Sequence, residues 1–115
     1  ESGLNGLLRP TIYGAYHEII PLNRPSSRAP KIPVDVVGPI CESGDFLGKD
    51  RQLPRMKEGD LLVVKSAGAY GFTMSGNYNS RPRACEIVIR KSKYEVAKRR
   101  ETYNDLIRGE SIAKL

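Results

Sequence analysis

A chain of 115 residues with 39% hydrophobic and 28% charged residues is long enough for one compact domain and too apolar for a disordered segment. With no apolar run near the ~18 residues of a membrane span and no signal-like start, a cytoplasmic protein without a membrane partner is expected. The net charge of +6 admits a polyanion partner through counterion release, while one histidine and no Cys-x-x-Cys pair argue against zinc or any other metal site.

The opening residues Glu1 to Gly6 read as loop, and without an initiator methionine the chain reads as a fragment or processed piece. In Arg9-Pro10-Thr11-Ile12-Tyr13 a guanidinium fork suited to a carboxylate or phosphate stands four residues before a phenol. Alone this is a weak signal, since an arginine before a proline is more often a plain surface residue. A weakly patterned strand is expected over Ile12 to Ile20, with His17 on it as a structural or surface residue, since no partner motif accompanies it. Turn residues cluster from Asn23 to Pro33, and a strand follows over Lys31 to Gly38.

Directly after that strand, Pro39-Ile40-Cys41-Glu42-Ser43-Gly44-Asp45 sets a thiol beside two carboxylates in a glycine-containing turn. A thiol there can exchange a proton while a carboxylate holds an ammonium group. The same residues also suit a small buried cysteine with Asp45 capping the turn, and the residue types leave both readings open. Turn chemistry from Gly44 to Gly59 predicts a loop, and Leu61 to Lys65 a further strand. In Ala67-Gly68-Ala69-Tyr70-Gly71-Phe72 small residues let backbone approach a ligand and leave the tyrosine open at a loop tip, or else form a tight turn under a packed ring.

Another turn cluster spans Ser75 to Pro82, and Ala84 to Arg90 reads as a strand with Cys85, Ile87 and Ile89 alternating against Glu86, Val88 and Arg90, so that one face is buried and the other partly wet. Cys41 and Cys85 are expected as reduced thiols. The run Lys91, Lys93, Lys98, Arg99 and Arg100 lacks interleaved aromatic platforms and reads as a solvated basic face. Thr102 and Asp105 form a candidate capping box for a helix over about 102–108, closed by Gly109, with Tyr103, Leu106 and Ile107 as a stripe that must dock on this domain or on another one. Short strands and long loops together predict a mainly β, small antiparallel β-sandwich or Greek-key barrel with a short C-terminal helix.

Several segments occur in the order and spacing of one family: Gly-Leu-Asn-Gly-Leu-Leu-Arg-Pro from Gly3, Ile12-Tyr13-Gly14-Ala15, Val37 through Asp45, Gly68-Ala69-Tyr70-Gly71, Asn77 through Arg83, and Arg100-Glu101-Thr102-Tyr103. In these the chain resembles the carboxy-terminal region of diaminopimelate decarboxylases, within the pyridoxal-phosphate-dependent group that includes ornithine and arginine decarboxylases. Glu1 stands where that family more often has aspartate. The resemblance implies a β-rich domain over 9–115 that closes an active site, preceded in 1–8 by the end of a barrel domain that carries the cofactor on a lysine.

It further implies conversion of meso-2,6-diaminopimelate to L-lysine and CO2, with pyridoxal 5'-phosphate as cofactor and a homodimer that shares active sites across its interface. By the same resemblance Cys41 is similar to the proton donor, Arg9, Tyr13 and Glu42 to substrate contacts, and Tyr70 to a residue touching both substrate and cofactor. The Schiff-base lysine is not in this chain, so the chain alone is expected to be inactive. A second reading is a non-catalytic basic β-barrel that binds RNA or an acidic partner. A third is a related decarboxylase acting on another basic amino acid or carboxynorspermidine.

Overall fold

The computed structural model describes residues 2–23 and 29–115. Glu1 and residues 24–28 of the turn expected from Asn23 to Pro33 lie outside the described residues. The chain divides into two compact units, Glu1–Ser75 and Gly76–Leu115.

In the first unit, α1 (Arg9–Tyr13) is one short helical turn with proline in its opening positions. Gly14 closes it at φ 61°, ψ 24°, its N–H donating to the Pro10 carbonyl at 3.0 Å. Pro10 presets the helical φ and loses only an N–H that the first turn leaves unpaired, and Gly14 takes the left-handed cap without a Cβ penalty. This overturns the strand expected over Ile12 to Ile20, of which only β1 (Ile19–Pro21) is extended. β1 pairs antiparallel with β4 (Leu62–Val64), Ile19 opposite Val64.

β2 (Lys31–Val37) pairs antiparallel with β3 (Phe46–Pro54), from Lys31 opposite Pro54 to Val37 opposite Phe46. β3 occupies the middle of the loop expected from Gly44 to Gly59, and its reason for escaping notice is physical. Its centre, Gly48-Lys49-Asp50-Arg51-Gln52, is a β-bulge: Asp50 sits at φ 53° and its N–H donates to the Asp35 carboxylate at 2.8 Å. A bulged residue leaves the ladder and breaks the period-two pattern by which strands are read. Leu7, Ile19, Leu47 and Leu53 form the core, with Val34, Val36, Val64 and Ala67 packed against it. His17, 3% exposed, faces the Lys65 carbonyl through Nδ1 at 3.2 Å, a structural role.

In the second unit a 3-10 turn (Tyr78–Ser80) precedes the hairpin of β5 (Glu86–Arg90) and β6 (Lys93–Lys98). The basic run thus contains a strand. Neither face of β5 is buried: Ile87, Val88 and Ile89 are all exposed, contrary to the one-sided burial its alternation predicts. The last helix, α3 (Tyr103–Leu106), has both bonds of the Thr102–Asp105 capping box. Across the described residues the mainly β, antiparallel character is realised as three two-stranded ladders. No helix among them is long and apolar enough to cross a membrane.

Polar networks hold the second unit. Glu101 accepts the Arg83 N–H at 2.8 Å, Asn77 Nδ2 at 2.7 Å and the Arg83 guanidinium at 3.0 Å. These bonds hold its carboxyl below the ordinary range, the Arg83 backbone N–H most of all. Asp105 lies far below that range, chiefly because Arg99 forks onto it at 2.6 and 2.7 Å and then because Thr102 donates its N–H and hydroxyl.

Two outcomes are expected. Leu53→Ala removes a buried core side chain and should destabilise the first unit by about 2–5 kcal/mol in denaturant unfolding. For the second unit, carboxyls held low in the fold mean that the unfolded chain binds more protons in acid. Their stabilisation is complete above about pH 5 and is lost as the pH falls through ~4 and below. Thermal midpoints followed from pH 7 to pH 2 should fall on that acid limb, and Asp105→Asn should flatten it; an unchanged limb would remove Asp105 from the account.

Candidate active site

The Cys-Glu turn is the connection between β2 and β3. Cys41 and Glu42 stand at its tip, both exposed, and Cys41 and Cys85 are both thiols. The base of the turn is buried: Ile40 and Asp45 lose nearly all contact with solvent. The Asp45 carboxylate accepts the N–H of Ile40 at 2.6 Å and that of Leu4, distant in sequence, also at 2.6 Å. Of the two readings left open for this cluster, the capped turn is realised by Asp45, but the thiol is not the buried partner.

α1 lies against the same turn. The Thr11 hydroxyl donates to the Gly44 carbonyl at 2.6 Å, so a polar bond between side chain and backbone joins the Arg-Pro-Thr segment to the Cys-Glu segment. At the other end of α1, the Arg9 guanidinium lies 5.9 Å from the centre of the Tyr70 ring, within range of a cation–π attraction. Tyr70 itself precedes α2 (Gly71–Met74) in the left-handed conformation, φ 61°, ψ −2°. A bulky residue holds that conformation only where its surroundings impose it, and such positions gather at ligand sites. Its ring is 67% exposed.

The structure therefore brings Arg9 and Tyr70 together directly and links Cys41 and Glu42 to them through Thr11 and Gly44. Tyr13 projects from α1, 67% exposed, outside the Arg9–Tyr70 pair. Neither its hydroxyl nor the Glu42 carboxylate has a hydrogen-bond partner among the described residues, which leaves both open to a ligand. The part of Thr11 and the reach of Asp45 to Leu4 were not read from sequence. Thr11 gave no signal beyond its place in the Arg-Pro-Thr segment, and the long reach from Asp45 to Leu4 is invisible to any local pattern.

A groove of about 1000 Å³ lies beside β1 and β3, and none of the five candidate residues lines it. What the site offers is an open tyrosine ring, a cation, a carboxylate and a thiol. That set fits the face of a flat, anionic cofactor and its amino-acid substrate, with the covalent attachment supplied from outside these residues.

Residues 1–68 match the family of the pyridoxal-dependent decarboxylase C-terminal sheet domain. The chain is 49% identical over 97% of its length to a diaminopimelate decarboxylase of Methanothermobacter thermautotrophicus and 49% identical over 97% to one of Pseudomonas aeruginosa. Each match spans 26% of the relative, so the chain covers about a quarter of the length of these proteins. A solved diaminopimelate decarboxylase from M. jannaschii, in complex with L-lysine, superposes with a TM-score of 0.90 at 37% identity, over 98% of this chain and 25% of that one. Together with the antiparallel ladders and the Arg9, Tyr70 and Cys41 segments, these matches show that the chain belongs to the pyridoxal-dependent decarboxylases, as their C-terminal sheet domain.

Proposed function

We propose that this chain is the part of a diaminopimelate decarboxylase that closes over the substrate, yielding L-lysine and CO2. The observation that carries the reading is the convergence on α1, which stacks Arg9 on Tyr70 and braces the Cys41–Glu42 turn through Thr11. The names of the relatives, and the L-lysine in the M. jannaschii structure, support the same substrate and product. In this reading residues 1–8 end the preceding barrel domain and 9–115 form the sheet domain. The enzyme is cytoplasmic, and it acts as a homodimer whose active sites are shared across the interface, Cys41 being delivered across it.

Diaminopimelate has an amine and a carboxylate at each end. Arg9 offers its fork to the distal carboxylate while Glu42 holds the distal ammonium, so the pair distinguishes this substrate from ornithine, which would leave the arginine without a partner. Tyr13 adds a hydroxyl to the same recognition. Tyr70 presents an open ring and a hydroxyl to substrate and cofactor together. Pyridoxal phosphate, when bound, supplies an electron sink for the pair left on carbon as CO2 departs. Cys41 then donates the proton of its Sγ to that carbon, and solvent restores the thiol.

Three measurements on the full-length enzyme and the chain test this. Cys41→Ala should lower kcat by about 10²- to 10⁴-fold, the usual contribution of a placed general acid, with KM nearly unchanged; retained turnover would remove the proton-donor role. Glu42→Gln should raise KM for diaminopimelate about 10- to 100-fold, in line with a charged hydrogen bond worth roughly 1.5–3 kcal/mol. The 115-residue chain alone, mixed with pyridoxal phosphate, should form no stable imine absorbance that borohydride abolishes, and such a band would contradict an attachment lysine outside this chain.

A further inference from the structure

The two chain neighbours of the candidate proton donor are both bound by one residue. The N–H of Ile40 donates to Asp45 Oδ2 at 2.6 Å, and the carbonyl of Glu42 accepts the Asp45 N–H at 2.9 Å. Cys41 lies between them, so its backbone is held on both sides by a single aspartate. The other two polar groups of Asp45 anchor the aspartate in turn. Its carbonyl accepts the Gly38 N–H at 3.0 Å, fixing it to the end of β2, and Oδ1 accepts the Leu4 N–H at 2.6 Å, fixing it to the opening segment.

Space around this carboxylate is closed. Asp45 is 5% exposed, between the buried side chains of Leu4 and Ile40. A Cβ on Gly38 would overlap the carboxylate, and one on Gly3 would come within 2.6 Å of it. Hydrogen bonds in so dry a place are strong and costly to break, because the freed groups find no water. The Thr11–Gly44 bond braces the far side of the turn. A hairpin tip otherwise surrounded by solvent is thus held like part of the core.

We propose that Asp45 is a positioning residue for catalysis: it fixes the backbone on which the Cys41 thiol and the Glu42 carboxylate are presented, with Thr11 as its second support. This rests on the reading of Cys41 as proton donor and Glu42 as substrate contact. Displacing a catalytic group by about an ångström can cost on the order of 10²-fold in rate, so the brace acts on turnover as well as on stability.

A double-mutant cycle in the full-length enzyme separates positioning from plain support. Asp45→Asn keeps the shape but sets an amide N–H₂ against one of the two backbone N–H groups, losing that bond. Its kcat should fall about 10- to 100-fold with a raised KM for diaminopimelate, whereas in a Cys41→Ala background the same change should alter kcat less than threefold, no thiol being left to place. Equal fold-losses in both backgrounds, or a folded D45N with kcat within threefold of the parent, overturns the proposal. Should D45N not fold, Thr11→Val carries the same cycle: a kcat loss in the parent that vanishes with Cys41→Ala supports the brace, and no loss or an equal loss overturns it. If Cys41→Ala itself keeps turnover, the proton-donor reading fails and this inference falls with it; if Cys41→Ala is impaired while both brace variants are not, only the brace fails.

Discussion

The β2–β3 ladder is the constraint on which the first unit depends. It brings Val34 and Val36 on one strand and Leu47 and Leu53 on the other to Leu7, Ile19 and Val64, and its closing turn is the Cys-Glu segment. A core this small leaves little hydrophobic surplus over chain entropy. The ladder therefore takes its shape from polar anchors as much as from packing. Asp35 takes the N–H that the bulge at Asp50 withdraws from the ladder, and Asp45 takes the two N–H groups at the turn. Both aspartates let the backbone bend without stranding a donor, which is the condition for a sharp, buried turn.

The same arrangement explains why the candidate side chains are exposed while their backbones are not free to wander. Tyr13 and Tyr70 are each 67% exposed, yet Pro10 in the helix that carries Tyr13 is fully buried. Exposed polar tips on fixed backbones suit a surface that completes a site held on another domain. A groove of about 1000 Å³ in the unit holds none of the candidate residues, so cavity volume does not mark those side chains.

Legibility in the sequence followed how local each signal was. The strands around Val34, Val63 and Val88 were readable because β-branched runs end at glycine or proline, and α3 because its capping box spans only Thr102 to Asp105. β3 was hidden by the charged residues of its bulge. β6 was hidden by attention to its charge, although Tyr94 and Val96 alternate with Lys93 and Glu95, and its two-residue turn at Lys91 and Ser92 lacks the glycine or asparagine that marks most such hairpins. α1 overlaps the strand expected over Ile12 to Ile20 only at Ile12 and Tyr13, and its proline start and glycine stop are the local signals of the helical turn. The candidate residues themselves were legible through their segments, whereas the bonds that assemble them join Asp45 to Leu4 and Thr11 to Gly44, pairs that no window along the chain contains.

The second unit shows what those family segments do when they carry no candidate chemistry. Its hairpin leaves Ile87, Val88, Ile89, Tyr94 and Val96 exposed, and a two-stranded ribbon without a covered apolar face is marginal in water. Cohesion comes from charge-assisted bonds instead. Asn77 and Arg83, the ends of one segment of the resemblance, close on Glu101 from the other, and Arg99 with Thr102 holds Asp105 at the start of α3. Each carboxylate replaces several apolar contacts by fixing two or more donors at once. The Asn77–Arg83 and Arg100–Tyr103 segments are therefore constrained by the geometry of one ion-paired network, and a change in either would be felt as loss of this unit's structure.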